Sequence, residues 1–137
     1  MPTYNYIYRN VNWTSGTFKL ALLSNSYVPS RSHDFFNDVS STEISGTGYT
    51  AGGVTLTNVA VNRDANGYRD EFFSDGASWT GLAATSVRYA VLYEATGVAA
   101  TSPLIAYYDL GGPYTPVDAD CDVAPNSNGW VDTRYET

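Results

Sequence analysis

Glycine and Asn-Gly turns punctuate this chain so closely that no window between them carries apolar residues at i, i+3, i+4 and i+7 over three turns, the spacing an amphipathic helix needs. What the windows do carry is alternation. Thr17–Leu23 sets Phe18, Leu20 and Leu22 on one face at period two. Val54–Val61 is rich in β-branched residues and leads into Asn66-Gly67, a favourable hairpin turn because both residues tolerate positive φ. Tyr68–Phe73 is then the returning strand. Ala77–Thr80 forms a short strand between Gly76 and Gly81. Val87–Tyr93 is the strongest strand signal: Val87, Tyr89, Val91 and Tyr93 share one face, while Ala90 and Leu92 make the other apolar too, as in a central strand. Leu104–Leu110 follows, closed by Gly111-Gly112-Pro113. Thr115–Val123 and Trp130–Tyr135 complete the series.

About eight short strands with regular turn punctuation predict an all-β, single-domain antiparallel β-sandwich of jelly-roll-like character spanning residues 1–137. The chain has 137 residues, one ordinary domain by length. A domain of that size buries roughly two-thirds of its unfolded surface, enough for a core without a metal or disulfide. Helical signal is confined to two places. Ser32–Val39 suits one short turn capped by Ser32, and Tyr4–Trp13, where Tyr4, Tyr6 and Tyr8 alternate, fits a strand or a short helix. Residues 29–53 form the longest stretch without a strand pattern. Loops of that length in compact domains are often functional, which makes this one a candidate contact arm.

Charge narrows the partners. Fourteen acidic residues against seven basic ones leave a net charge of −7, which disfavours both nucleic acid and anionic membranes. No run of eighteen apolar residues is present, so no membrane-spanning helix is expected. The opening residues lack a basic region followed by an apolar stretch, so synthesis in a cytoplasm without a signal peptide is expected. The single Cys121 has no intramolecular partner. Its acidic neighbours disfavour a thiolate, so it reads as a small apolar residue.

A search for chemistry yields no catalytic, cofactor or metal assignment. His33 is the only histidine. Its neighbours Ser32 and Asp34 are adjacent in sequence and cannot approach it from the distinct directions a triad requires. Asp118, Asp120 and Asp122 supply three carboxylates of the type that ligate Ca²⁺. However, Val123 stands where a calcium loop would turn, and the acids alternate with Val117, Ala119, Cys121 and Val123 as on the solvent face of a strand. Gly46–Gly53 lacks the Gly-Lys-Ser/Thr ending of a phosphate loop and reads as a turn-rich approach to Val54. Asp70, Glu71 and Asp109 could be imagined as glycosidase carboxylates, but nothing in the sequence sets their separation. Twelve tyrosines are more than one core accommodates, so some face outward, where tyrosine favours protein contacts.

Three segments in order resemble a family of small virion-associated proteins of tailed phages. They are Phe18–Pro29; His33–Val39 with Glu43–Gly53; and Ala77–Trp79 with Val87–Tyr93 and Ser102–Asp109. The resemblance runs from about Thr17 to Leu110. It implies a non-enzymatic virion component assembled in the host bacterial cytoplasm, acting in many copies and plausibly as a homo-oligomer such as a trimer. The leading expectation is a capsid decoration or cement protein that binds the major capsid protein shell. A tail tube, fibre or adaptor component is the next. A carbohydrate-binding module using Trp13, Trp79 and Trp130 is the third.

Overall fold

The computed structural model describes residues 10–63, 65–67 and 69–134. Among them the regular elements are nine strands and three single-turn 3₁₀ helices. The strands are β1 (Phe18–Ser24), β2 (Val54–Thr55), β3 (Ala60–Arg63), β4 (Arg69–Phe73), β5 (Ala77–Leu82), β6 (Val87–Glu94), β7 (Leu104–Tyr114), β8 (Ala119–Val123) and β9 (Val131–Arg134). Every pairing is antiparallel. A four-stranded sheet runs β2-β1-β6-β7, a three-stranded one β3-β4-β9, and a pair joins β5 to β8. The protein is all-β, a β-sandwich. Tyr4, Tyr6, Tyr8, Tyr68 and Tyr135 lie outside the described residues.

The middle strands of the four-stranded sheet, β1 and β6, are buried on both faces. On one, Phe18, Leu20, Leu22, Ala90 and Leu92 pack against Phe72, Ala77, Trp79, Leu82 and Trp130 from the two smaller sheets. That interface is the sandwich core. On the other, Ala21, Leu23, Tyr89, Val91 and Tyr93 pack with Tyr27, Phe36 and Val39. The segment expected to be a free contact arm is therefore largely a lid. Its first 3₁₀ turn, Phe36–Asp38, lays Phe36 flat on Tyr93, ring centres 4.2 Å apart. Ser32 does not cap that turn. The Asp38 carboxylate does, accepting the backbone N–H groups of Asp34 and Phe35 at 2.9 and 3.0 Å. Those bonds, that from Phe35 foremost, hold the Asp38 carboxyl below the usual range.

Two expected strands differ in the structure. Val54–Val61 is not continuous: β2 pairs with β1, β3 pairs with β4, and Asn58, at φ +54°, turns the chain between the sheets. This split is why nine strands appear rather than eight. Gly111-Gly112-Pro113 does not end β7, which continues to Tyr114 across a register shift opposite Val87 and Tyr89. A pairing irregularity at Leu23/Ser24 lies opposite the same stretch of β6. Val87 consequently falls on the sandwich side with Ala90 and Leu92, not on the lid side with Tyr89. The hairpin predicted around Asn66-Gly67 is present, with Arg63 opposite Asp70 and Gly67 at φ +74°.

Buried phenols lock this arrangement at neutral pH. Tyr49 accepts the Leu22 N–H at 3.0 Å and donates to Glu43 at 2.6 Å, tying the lid's return to β1. Tyr93 donates to the Gly52 carbonyl and Tyr108 to that of Trp130, both at 2.7 Å. Burial pushes the Tyr93 phenol up to about 12, and burial raises Tyr49 and Tyr108 as well. A folded-state pKa above the unfolded value means that the stability is fully present below the unfolded value and disappears as pH climbs through the folded one. The melting temperature therefore holds up to about pH 10 and falls steeply across about pH 10–12. Phenolate absorbance recorded alongside circular dichroism checks this: the buried phenols ionise only with unfolding.

Candidate functional site

The two ends of the four-stranded sheet differ. At one end the outer edge of β1 is covered in short pieces, by Val54 and Thr55 of β2 and by a bridge from Leu23 to Glu43. At the other end lies β7, eleven residues long and, beyond Leu104, paired among the described residues only with β6. Its alternate residues diverge. Ala106, Tyr108 and Leu110 lean on the sandwich core, while Tyr107 and Asp109 face outward.

Around Tyr107 the fold gathers an aromatic cluster. Tyr27, Tyr89 and Tyr107 contact one another edge to face, with ring centres 5.4–6.3 Å apart. Tyr27 and Tyr89 are buried, whereas Tyr107 is 42% exposed. Arg88 extends beside them, its guanidinium 5.3 Å from the Tyr89 ring centre. It donates to both Asp109 carboxylate oxygens at 3.2–3.3 Å and to the Asn25 side-chain oxygen at 3.0 Å. That pairing, with a bond from the Gly111 N–H, holds the Asp109 carboxyl below its ordinary value.

Beyond Gly111 the β7–β8 connection exposes a second apolar group. Tyr114 is 56% and Val117 80% exposed. Two bonds anchor the residues between them to the loop before β6: Ala84 N–H donates to the Pro116 backbone carbonyl at 3.2 Å, and Ser86 N–H to the Thr115 side-chain hydroxyl at 3.2 Å. Two large apolar side chains are thus presented on a held loop.

The residues considered for chemistry do not converge. The His33 ring packs on Tyr27, its Nδ1 3.4 Å from that phenol oxygen, while the Ser32 hydroxyl meets Ser30 at 2.9 Å. Asp70 and Glu71 lie on β4 and Asp109 on β7, in different sheets. Asp70 is paired with Arg63 at 3.0 Å, and Glu71 is 3.7 Å from Arg69. From Ala119 to Val123 β8 alternates as the strand reading requires, with Asp120 and Asp122 exposed and Cys121 half-buried against the core, but the expected strand begins four residues late: Thr115–Asp118 lie in the connection before it, and Val117 is exposed rather than packed. Asp118 precedes the strand at φ +52°, and Asp120 accepts the Gly81 N–H at 3.1 Å. Burial, and then Asp122, push the Cys121 thiol up. Among the described residues, no three His, Cys, Asp or Glu side chains are grouped to hold a metal ion. The Gly46–Gly53 run serves backbone packing: Thr47 bridges to Ala83, and Gly46 lies directly against the Ala83 carbonyl.

The three tryptophans are committed to packing rather than to sugar stacking. Trp13 lies against Phe18 and Phe72, and Trp79 and Trp130 are buried in the core. The two buried indoles differ in one respect. Trp130 Nε1–H donates to the Ser74 hydroxyl at 2.7 Å, whereas Trp79 Nε1 is buried with no partner among the described residues. Removing an unmet donor recovers its desolvation cost; removing a met one leaves its partner stranded. Trp79→Phe is expected to change stability by less than about 1 kcal/mol and Trp130→Phe to cost about 2 kcal/mol, read by urea denaturation.

In the sequence Asp109 stands out only as a carboxylate, Val117 reads as the apolar face of a strand, and Tyr107, Arg88 and Tyr114 carry no signal of a site on their own. Only its odd-numbered place beside Asp109 on an alternating strand sets Tyr107 apart. Comparison with protein-family models, with curated proteins and with solved structures finds no match to this chain.

Proposed function

We propose that this protein is a non-enzymatic structural component of a tailed-phage particle that decorates the outer surface of the major capsid protein shell. The observation carrying the reading is the pair Tyr114 and Val117, large apolar side chains exposed on a loop anchored at Ala84 and Ser86. Exposed apolar groups on a preordered loop bind protein surfaces at low entropic cost. The sequence resemblance supplies the virion context. A sheet whose middle strands are packed on both faces gives the rigid body that a shell accessory needs. The carbohydrate reading loses its basis, because the three tryptophans it relied on pack within the protein.

The test is mass spectrometry of phage heads and tails separated after gentle disruption of purified particles. Recovery with heads at high copy number is the expected result. Recovery with tails at low copy replaces decoration with a tail role, and absence from both removes the virion assignment.

A further inference from the structure

We infer that two copies of this chain pair through β7, edge to edge and antiparallel, with Tyr108 of each opposite Tyr108 of the other. The inference begins from what limits the open edge. At its start, Leu104 N–H already donates to the Asp34 carbonyl at 3.0 Å, and Phe36 N–H to the Ser102 carbonyl at 2.9 Å, so the edge is occupied up to Leu104. Near its end stands Pro113, which has no N–H to offer. Between these limits, among the described residues, no backbone partner lies on the outer side of Ile105–Gly112. Long edge strands are normally blunted by lysine, by being short, or by a covering segment. This stretch has no lysine or arginine, and its one charged residue, Asp109, is already paired with Arg88.

The limits also set the register. A two-fold contact pairs residues symmetrically about one centre. Gly111, at φ +86°, already gives its N–H to Asp109, and Gly112 leads into Pro113, which leaves residues 105–110 as the usable window; a centre at Tyr107 would set Asp109 against Ile105, so the centre falls on Tyr108. In that register Ala106 faces Leu110, small against large, and Tyr107 faces Asp109. Moving the centre to Asp109 would oppose two carboxylates, which destabilises directly opposite cross-strand positions. The Tyr108 register places an aromatic ring beside each Arg88–Asp109 pair instead. It also extends the sandwich face, where Ala106, Tyr108 and Leu110 are only partly covered. An isologous contact of this kind closes at two copies, giving one continuous sheet of eight strands. The pairing does not depend on the virion assignment, since it rests on the edge alone.

Sedimentation of the full chain tests it. The wild-type protein is expected to be a dimer at tens of micromolar, with backbone amides in 105–110 gaining hydrogen-exchange protection as concentration rises. Tyr107→Asp puts a carboxylate opposite the partner's Asp109 twice per dimer and should weaken dimerisation about tenfold or more. Tyr107→Lys, which supplies an opposite charge at the same place, should keep the dimer. A monomeric or trimeric wild-type protein overturns the proposal, as does a dimer whose 105–110 amides exchange independently of concentration. Equal weakening by both substitutions overturns the register. If Tyr107→Asp fails to fold by circular dichroism, the wild-type exchange experiment and Tyr107→Lys still decide.

Discussion

Phe18→Ala is expected to remove about 3–5 kcal/mol of stability, a large share of the roughly 5–15 kcal/mol that holds a domain together. Phe18 is completely shielded from solvent, at the place where β1 meets the β3-β4-β9 sheet. Its ring centre is 4.7 Å from that of Phe72 and 5.9 Å from that of Trp13, stacked on the latter. Alanine would leave a cavity bounded by aromatic rings and by strands whose backbones are fixed by pairing, so little of the space can collapse. Phe18→Leu keeps most of the volume and should cost less than about 2 kcal/mol. Urea denaturation with unchanged slope reads both. A loss below about 1 kcal/mol for the alanine variant would mean that the sandwich interface contributes little of the cohesion assigned to it here.

Gly53→Ala is expected to be comparably damaging, about 3 kcal/mol or more, by a different cause. Gly53 has φ +83°, and a Cβ there would lie 2.0 Å from the Leu20 carbonyl oxygen and 2.6 Å from the Ala21 Cα. Both are backbone atoms of β1, the strand that carries the core, and neither can step aside. Relief would come only by peeling β2 from β1, which also disturbs the bonds from Gly52 N–H to Glu43 and from Tyr93 to the Gly52 carbonyl. Gly97→Ala is the control: φ is +90° there too, but nothing lies within 4 Å of the added carbon. Only the conformational penalty of about 1–2 kcal/mol should appear. Thermal melts of the two variants side by side separate backbone collision from backbone strain.

Those two sites also show what was legible beforehand. The burial of Phe18 with Leu20 and Leu22 follows from alternation, a local property that survives any strand order. The β3–β4 hairpin follows from Asn66-Gly67 for the same reason. The break at Asn58 was hidden because asparagine tolerates positive φ without demanding it, and β-branched residues on either side read as one strand. The short turn within Ser32–Val39 was legible, but its role as a lid was hidden because Phe36 and Val39 find their partners on β6, far along the chain. The contact surface was legible only in part. That Tyr107 and Asp109 point away from Tyr108 follows from the pleat, but that β7 stands at an edge depends on which strand comes next to it, and no local pattern carries that information. Likewise Tyr27, Tyr89 and Tyr107 come from three separate segments and meet only in the folded sheet.

The pairing of β1 with β6 has a consequence for how the molecule comes into being. Leu20 lies opposite Leu92 and Phe18 opposite Glu94, so the first strand has no long partner until most of the chain exists. Contacts this distant in sequence make folding slow compared with helical proteins of the same size. At a synthesis rate of about 5–20 residues per second, the apolar run from Phe18 to Leu23 waits several seconds on the ribosome before β6 emerges to receive it. Throughout that interval a strand with five fully buried side chains in the finished protein stands exposed, and the nascent chain should be a client for hydrophobic-segment chaperones until Val87–Glu94 arrives.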